Sequence, residues 1–474
     1  MTRFLLRRLL SALPLAALAG GVTLAQPGQL PPRYVQPAVP APDAAKDDIE
    51  VLARGPIHEA YATTAETPAG GPVVDKRPPD AVEELPPDQK PDGNNVQWIP
   101  GYWQYDEERK DFIWISGFWR DAPPGRVWVP GGWQEVRNGF QWVSGFWNAP
   151  APAAQPGVAP QAQLEYLPPP PATLEAGPTV VSPGADYFYT PGSWVYRVNR
   201  YVWRPGFWVA HRPGWVWVPD HFRWTPVGYV FVPGYWDVPL ERRGVLFAPV
   251  YFSPAVVVRP RFVYTPVYAV PAPSLYTSLF IRTGYGGYYF GDYFEPRYAT
   301  AGYSSWAVSI RGSNFAVGVS GGRGFAYDPL WSYYSVAHRR EPAWQQNITN
   351  VYVGRYNGTV SRPPQTLVQQ TTIINNITNN NTTVVNNNTT TNNKTVNTAP
   401  ATAAQVTMVT PLADLKKASP TVALKPVAAE DRTKEQQAAK ELRRVAVERR
   451  KAETQLVARG QVATKADDKP QQVK

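Results

Sequence analysis

From residue 98 to residue 147 the chain alternates short aromatic runs with short polar clusters at a nearly fixed period. The aromatic figures are WIPGYW (98–103), WISGFW (114–119), WVPGGW (128–133) and WVSGFW (142–147). Successive first tryptophans lie 16, 14 and 14 residues apart. After an interval rich in Pro and Ala the figure returns as YTPGSW (189–194), WRPGFW (203–208), WVPDHF (217–222) and FVPGYW (231–236), with a spacing of 14 throughout. A fixed period marks a repeat architecture and takes precedence over other readings. Between figures the spacers have polar centres, such as Glu107-Glu108-Arg109-Lys110, Arg137-Asn138-Gly139, Arg197-Val198-Asn199-Arg200 and His211-Arg212-Pro213-Gly214. Their flanks are strand formers, as in Phe112-Ile113-Trp114-Ile115 and Phe140-Gln141-Trp142-Val143. Each spacer therefore reads as a β-hairpin with its tip at the polar cluster. The first spacer is longer by two residues. An even insertion keeps every strand side chain on its original face.

Each position of the figure has a physical reading. Pro at the third place and Gly at the fourth predict a type II turn, in which the fourth residue has positive φ. The turn residues are Gly101, Gly117, Gly131, Gly145, Gly192, Gly206, Asp220 and Gly234. Ser116 and Ser144 replace Pro in two figures, and Asp220 replaces Gly in one, Asp being among the residues that tolerate the left-handed region. The outer aromatics flank the turn. Thirteen tryptophans occupy these places: Trp98, Trp103, Trp114, Trp119, Trp128, Trp133, Trp142, Trp147, Trp194, Trp203, Trp208, Trp217 and Trp236. They serve either as pegs that pack hairpin on hairpin or as sugar-stacking faces.

The whole pattern predicts a mainly β chain: two arrays of short aromatic β-hairpin repeats, a further Gly/Tyr-rich β segment, disordered linkers and a C-terminal helix. Residues 1–25 read as a signal peptide, with Arg3, Arg7 and Arg8 ahead of an apolar run and small residues near Ala25. The alternative is an uncleaved membrane anchor. A Pro-rich disordered linker is expected over 26–95, the first array over 96–148, a Pro/Ala-rich linker over 149–183 and the second array over 184–238. An aromatic, Gly-rich β segment follows over 239–345, where SWAVSIRG and FAVGVSG alternate as strands do. Residues 346–427 read as an Asn/Thr-rich low-complexity spacer, with interchain Asn ladders as the sharper alternative. A charged helix is expected over 428–460, with a capping box at Thr433 and Gln436 and a seam of Ala438, Leu442, Val445, Ala452 and Leu456. That helix is a short coiled coil, giving self-association through 430–457, a basic surface helix or a solvated single helix. Residues 461–474 read as a disordered tail.

Composition narrows the function classes. There is no cysteine, which excludes disulfides and thiolate chemistry. Net charge is +10, and for an exported chain this points to acidic polysaccharide, peptidoglycan or lipid headgroups rather than nucleic acid. No segment after the leader approaches an uninterrupted transmembrane length, so no further span is expected. The basic residues concentrate in the second array. Over 186–262 there are nine arginines against four acidic residues, whereas 92–148 holds five basic and seven acidic residues. Arg197, Arg200, Arg204, Arg212 and Arg223 are thus the candidate anion contacts.

Catalytic constellations are poorly supported. His211 and His221 lie ten apart without further converging ligands, so neither a metal site nor a cofactor is expected. Asp106, Glu107 and Glu108 are followed directly by Arg109 and Lys110, as in a solvated charged turn rather than a glycosidase pair. The glycines of GYGGYYFG (284–291) precede no helical pattern and make a poor phosphate loop. The eight figures resemble the bacterial WXXGXW-repeat (YXWGXW-type) family of exported proteins, which implies no established catalytic residue or ligand. The seventh figure, with Asp220 and Phe222, departs from the pattern, and Tyr189 and Phe231 are softer departures. The expectation is an exported, non-enzymatic repeat protein of the periplasm or outer envelope, with a structural or scaffolding role. Its alternative is polysaccharide or peptidoglycan binding through exposed Trp and Arg of the second array, and other envelope proteins are possible partners.

Overall fold

The computed structural model describes residues 48–65, 70–93, 95–150, 164–307, 327–375, 406–465 and 468–472. Strands predominate, as the repeat pattern predicts, and most are short antiparallel pairs. The eight figures fold two by two into four modules. In the first, Tyr102–Asp106 and Asp111–Ile115 form a hairpin, and Val96–Ile99 and Phe118–Asp121 continue the same ribbon beyond it. The second module is built alike from Val127–Val129, Gly132–Val136, Gly139–Val143 and Phe146–Asn148. The third uses Tyr187–Thr190, Ser193–Arg197, Arg200–Arg204 and Phe207–Ala210. The fourth uses Val216–Val218, His221–Thr225, Gly228–Val232 and Tyr235–Asp237.

Only alternate spacers are therefore hairpins. The tips at Glu107–Lys110, Arg137–Asn138 and Val198–Asn199 are as expected. His211–Gly214 is instead a turn between modules, held by an isolated bridge of Arg212 with Trp215. The reason is that a figure needs one partner figure, and a second ribbon on its other edge is not required to bury its aromatics.

Several segments expected to be disordered are folded where they are described. Within 26–95, Leu52, Ala53, Ile57, His58, Ala60 and Tyr61 are buried, and Ile49–Val51 pairs with Val250–Phe252. Prolines suppress regular periodicity there, yet the few apolar side chains fill gaps between modules. Within 149–183, Leu164, Tyr166 and Leu167 are buried, and Leu167 bridges Tyr229 of the fourth module. The tail contributes Ala463, fully buried, and Gln471–Gln472 pairs with Glu165–Tyr166.

The segment 239–345 is mixed rather than purely β. Its sheet runs in the order Gly55–Pro56, Tyr288–Phe290, Leu279–Arg282, Tyr303–Ser305. Helices Ala272–Tyr276, Pro296–Thr300, Pro329–Ala337 and Pro342–Asn357 lie around it, each with Pro in its first turn, where the missing N–H costs no hydrogen bond. The aromatic residues there pack as a dense tyrosine cluster, with Tyr293 stacked on Tyr303 at 4.5 Å. The strand expected in FAVGVSG, most of that in SWAVSIRG and the Asn/Thr core at 376–405 lie outside the described residues, as does the leader. The flanks of the spacer expected over 346–427 are ordered: 367–375 is helical, Thr410–Pro411 pairs with Tyr268–Ala269, and Leu424–Pro426 pairs with Gln89–Pro91.

The C-terminal helix, Ala429–Ala458, is as long as expected but lies against the first two modules. Its buried row is Ala439, Ala446 and Glu453, with Leu442 and Leu456 partly buried beside it. Ala438, placed in the seam by sequence, is exposed. The capping box does not form: Thr433 sits inside the helix and donates to the Ala429 carbonyl, while Gln436 donates to the Glu84 carbonyl. Among the described residues, no helix is long and apolar enough to cross a membrane.

Candidate functional site

The figure is explained by how two copies meet. In every module the first aromatic of one figure lies opposite the last aromatic of its partner. Trp98 faces Trp119 at 5.5 Å and Trp103 faces Trp114 at 5.2 Å between ring centroids, both edge-to-face. The second module repeats this with Trp128–Trp147 at 5.2 Å and Trp133–Trp142 at 5.6 Å. The third has Tyr189–Trp208 at 5.5 Å and Trp194–Trp203 at 5.2 Å. The fourth has Trp217–Trp236 at 5.2 Å and Phe222–Phe231 at 5.3 Å. All eight pairs have centroid distances at which aromatic rings attract, each contributing about 0.5–1.5 kcal/mol beyond buried area.

Between the two pairs of each module the backbones cross closely, and this sets the glycine. None of Gly101, Gly117, Gly131, Gly145, Gly192, Gly206 and Gly234 has positive φ, and neither has Asp220. The expected type II turn is thus absent. Glycine is required instead because a side chain has no room. A Cβ on Gly101 would lie 2.3 Å from the Ile115 carbonyl and 2.9 Å from the Trp114 ring. One on Gly117 would lie 2.6 Å from the Ile99 carbonyl and 2.8 Å from the Trp98 ring. Each glycine thus abuts the first aromatic of the partner figure.

A carboxylate closes each crossing. In the first module Glu84 accepts from the Gly101 and Gly117 amides, both at 2.9 Å, and from Trp114 Nε1 at 2.7 Å. In the second, Glu59 accepts from the Gly145 amide at 2.7 Å and Trp142 Nε1 at 2.8 Å. In the third, Glu175 accepts from the Gly192 amide at 2.5 Å and the Tyr189 hydroxyl at 3.0 Å. The fourth supplies its own: Asp220 accepts from the Gly234 amide at 2.9 Å and Ser193 Oγ at 2.9 Å, and pairs with Arg204. Burial pushes the Glu59 and Glu84 carboxyls up. For Glu84, Arg443 and the three donors oppose this; for Glu59 the indole, amide and Ser144 hydroxyl do. Sequence reasoning missed Glu59, Glu84 and Glu175. Two of them did carry a signal: Pro78 to Glu84 and Pro169 to Glu175 both read Pro-Pro-x-Ala-x-x-Glu.

The candidate binding residues distribute unevenly. In the first module Trp98, Trp103, Trp114 and Trp119 are buried, and Trp128 and Trp147 of the second are buried too. Trp133, Trp142, Trp194, Trp203, Trp208, Trp217 and Trp236 are half-buried. Arg197, Arg200, Arg204 and Arg212 are exposed, and Arg212 lies over the rings of Trp215 and Trp236. Arg223 departs from the expectation of a surface anion contact. It is buried and donates to the Thr64 carbonyl, because its strand position points into the interior.

The charged tip of the first hairpin is not merely solvated. Glu107 pairs with Arg282 at 2.7 Å, and Glu108 contacts Arg54, Arg297 and Tyr298. Glu107, Glu108, Arg54, Arg282 and Tyr298 line a cavity of about 140 Å³ with Tyr289, Tyr293 and Tyr303. Its acids and bases are paired with each other, as in a docked tip. His211 packs against Tyr333, and His221 is buried with Nδ1 2.9 Å from the Pro219 carbonyl. Among the described residues no group of three or more His, Cys, Asp or Glu is placed to hold a metal ion.

A family model described as a WXXGXW repeat, spanning two copies, matches residues 97–120, 184–209 and 212–237. These three segments are WXXGXW repeats. The two-copy length of that model has a structural counterpart: each match coincides with one module, the smallest piece in which a figure meets its partner. The second module, outside the matched ranges, has the same strand register and ring pairing. No curated protein and no solved structure matches the chain.

Proposed function

We propose that this protein is an exported, non-enzymatic repeat protein with a scaffolding role in the bacterial cell envelope. The observation that supports this reading best is the closure of the aromatics on one another. All sixteen outer rings of the eight figures, at the first and last places, are engaged in pairs within the chain, and those of the first module are buried. Rings used this way give cohesion without disulfides. The basic charge and the leader read from sequence fit an exported chain facing anionic polymers. Fractionation of the native cell should place the protein in the envelope, and recovery in the cytoplasm would overturn the proposal.

A second reading is favoured by the third module alone. Trp194, Trp203 and Trp208 are half-buried there, with Arg197, Arg200 and Arg204 exposed on the same ribbon. This arrangement suits an acidic glycan or peptidoglycan. Retention on purified cell wall that is lost on replacing Arg197 and Arg200 with Ala would support glycan binding, and equal retention of the variant would remove it.

A further inference from the structure

Three of the four module hairpins turn in two residues, at Arg137–Asn138, Val198–Asn199 and Pro226–Val227. The first turns in four, Glu107–Lys110, which accounts for both extra residues of its longer spacer. The shorter tips show that a module closes without them. Added tip residues cost ordering entropy and, here, the desolvation of two carboxylates. What they reach is the tyrosine cluster. Glu107 pairs with Arg282 and accepts from the Tyr285 hydroxyl, both at 2.7 Å, and Glu108 holds Arg54 and the Tyr298 hydroxyl.

The tip and the cluster enclose a cavity rather than a sealed contact. Its volume of about 140 Å³ has room for roughly ten waters, or for one six-membered sugar ring. Arg54, Arg109 and Arg282 line it together with Asp106, Glu107 and Glu108, three charges of each sign. The Asp292 carbonyl and the Tyr298 hydroxyl also hold Arg54, and the Ala301 carbonyl also holds Arg282. The walls are therefore fixed, rich in donors and acceptors, and balanced in charge. Two hydroxyls are left over. Tyr293 and Tyr303 line the cavity at 7% and 8% exposure, and among the described residues neither hydroxyl has a hydrogen-bond partner. A buried hydroxyl is unfavourable unless water or a ligand completes it.

We infer that this cavity is a binding site for one neutral sugar ring. A sugar hydroxyl both donates and accepts, which suits a wall of guanidinium, carboxylate and phenol groups. It can use the lone pairs and N–H groups that the ion pairs leave open, without breaking them. A simple ion finds no unbalanced charge here, and a zwitterion would have to compete with the existing pairs. The tyrosine rings supply apolar wall for the C–H groups of the sugar. The site uses neither the leader nor Arg197 and Arg200, so it stands or falls apart from envelope location and from glycan binding at the third module.

The test titrates the full chain by calorimetry with glucose, galactose and N-acetylglucosamine, with glucuronate and glycine as charged controls. One neutral sugar should bind saturably at one site per chain. Tyr293→Phe and Tyr303→Phe each remove only an unpartnered hydroxyl. Each should leave the denaturant midpoint unchanged and weaken the sugar about fivefold, the loss of one hydrogen bond. No saturable binding of any of the three sugars, undiminished binding by both variants, or tighter binding of glucuronate or glycine would overturn the site. The linear oligomer of the bound sugar separates two sources, and either result supports the site. Tighter binding than the single sugar assigns it to the end of a polysaccharide, and equal or weaker binding to a free monosaccharide.

Discussion

At the scale of single residues, the recurring glycine of the figure is a matter of space and not of φ. The one exception shows how the space is set. Opposite each glycine stands the first aromatic of the partner figure, usually an indole. A Cβ on Gly131 would meet the Trp142 ring at 2.7 Å, and one on Gly192 the Trp203 ring at 2.5 Å. Opposite Asp220 that place is held by Phe231, a smaller ring, and the room released admits a carboxylate that caps Gly234. Phe231→Trp should therefore lower stability by about 1–3 kcal/mol, the usual cost of overpacking. Asp220→Gly introduced with it should recover part of that loss. A double-mutant cycle in chemical denaturation measures the coupling; additive effects would show that the two sites are independent.

At the scale of elements, the C-terminal helix acts as a clamp over the first two modules. Arg443 lies over the Trp114 ring at 5.5 Å, donates to the Val82 carbonyl at 2.9 Å and stands 3.7 Å from Glu84. Arg449 and Arg450 donate to the Pro130 and Gly131 carbonyls, while Tyr166 donates to Glu453 at 2.7 Å. Arg443→Ala leaves the buried Glu84 without its cation and should cost roughly 3–5 kcal/mol. Arg444→Ala removes only exposed, solvent-screened pairs with Glu441 and Glu448 of the same helix, and should leave stability essentially unchanged. Denaturant midpoints of the two variants compare them directly. The helix itself was legible from its composition. Its buried face was not, because the row that packs carries two alanines and a glutamate, which no hydrophobic periodicity selects.

At the scale of the whole molecule, buried titratable groups of opposite sign shape the dependence of stability on pH. His221 is held at about 3, chiefly by burial and then by the Arg223 charge, with Arg126 adding to it. Below its ordinary value near 6.5 the unfolded chain takes a proton that the folded chain refuses. Its contribution is present above that value and is lost as pH falls toward 3, by about 1.4 kcal/mol per pH unit. His58, also held at about 3 by burial, acts in the same sense. Asp328, which caps the helix Pro329–Ala337 and accepts from Tyr288, is pushed up to about 6 by burial. Here the folded chain keeps the proton, so the contribution is present below about 4 and is lost as pH rises through 6. Glu59 and Glu84 share this sign. His221→Asn should thus flatten the loss of stability on acidification from pH 6.5, and Asp328→Asn should steepen it. Urea unfolding at half-unit steps of pH checks both, and unchanged slopes would contradict the assignment.

The sequence by itself determined the period, the hairpins at Lys110, Asn138 and Asn199, the predominance of strands and the long C-terminal helix. These follow from local alternation and turn chemistry, which nearby residues decide. Only the tertiary structure decided that figures work in pairs, that glycine is fixed by an opposing indole, and that Glu59, Glu84 and Glu175 close the crossings from segments that read as linkers. Those features join residues as far apart as Glu59 and Gly145. A close approach between distant strands leaves no local pattern, and a buried carboxylate is stabilised by donors that only the folded chain brings together.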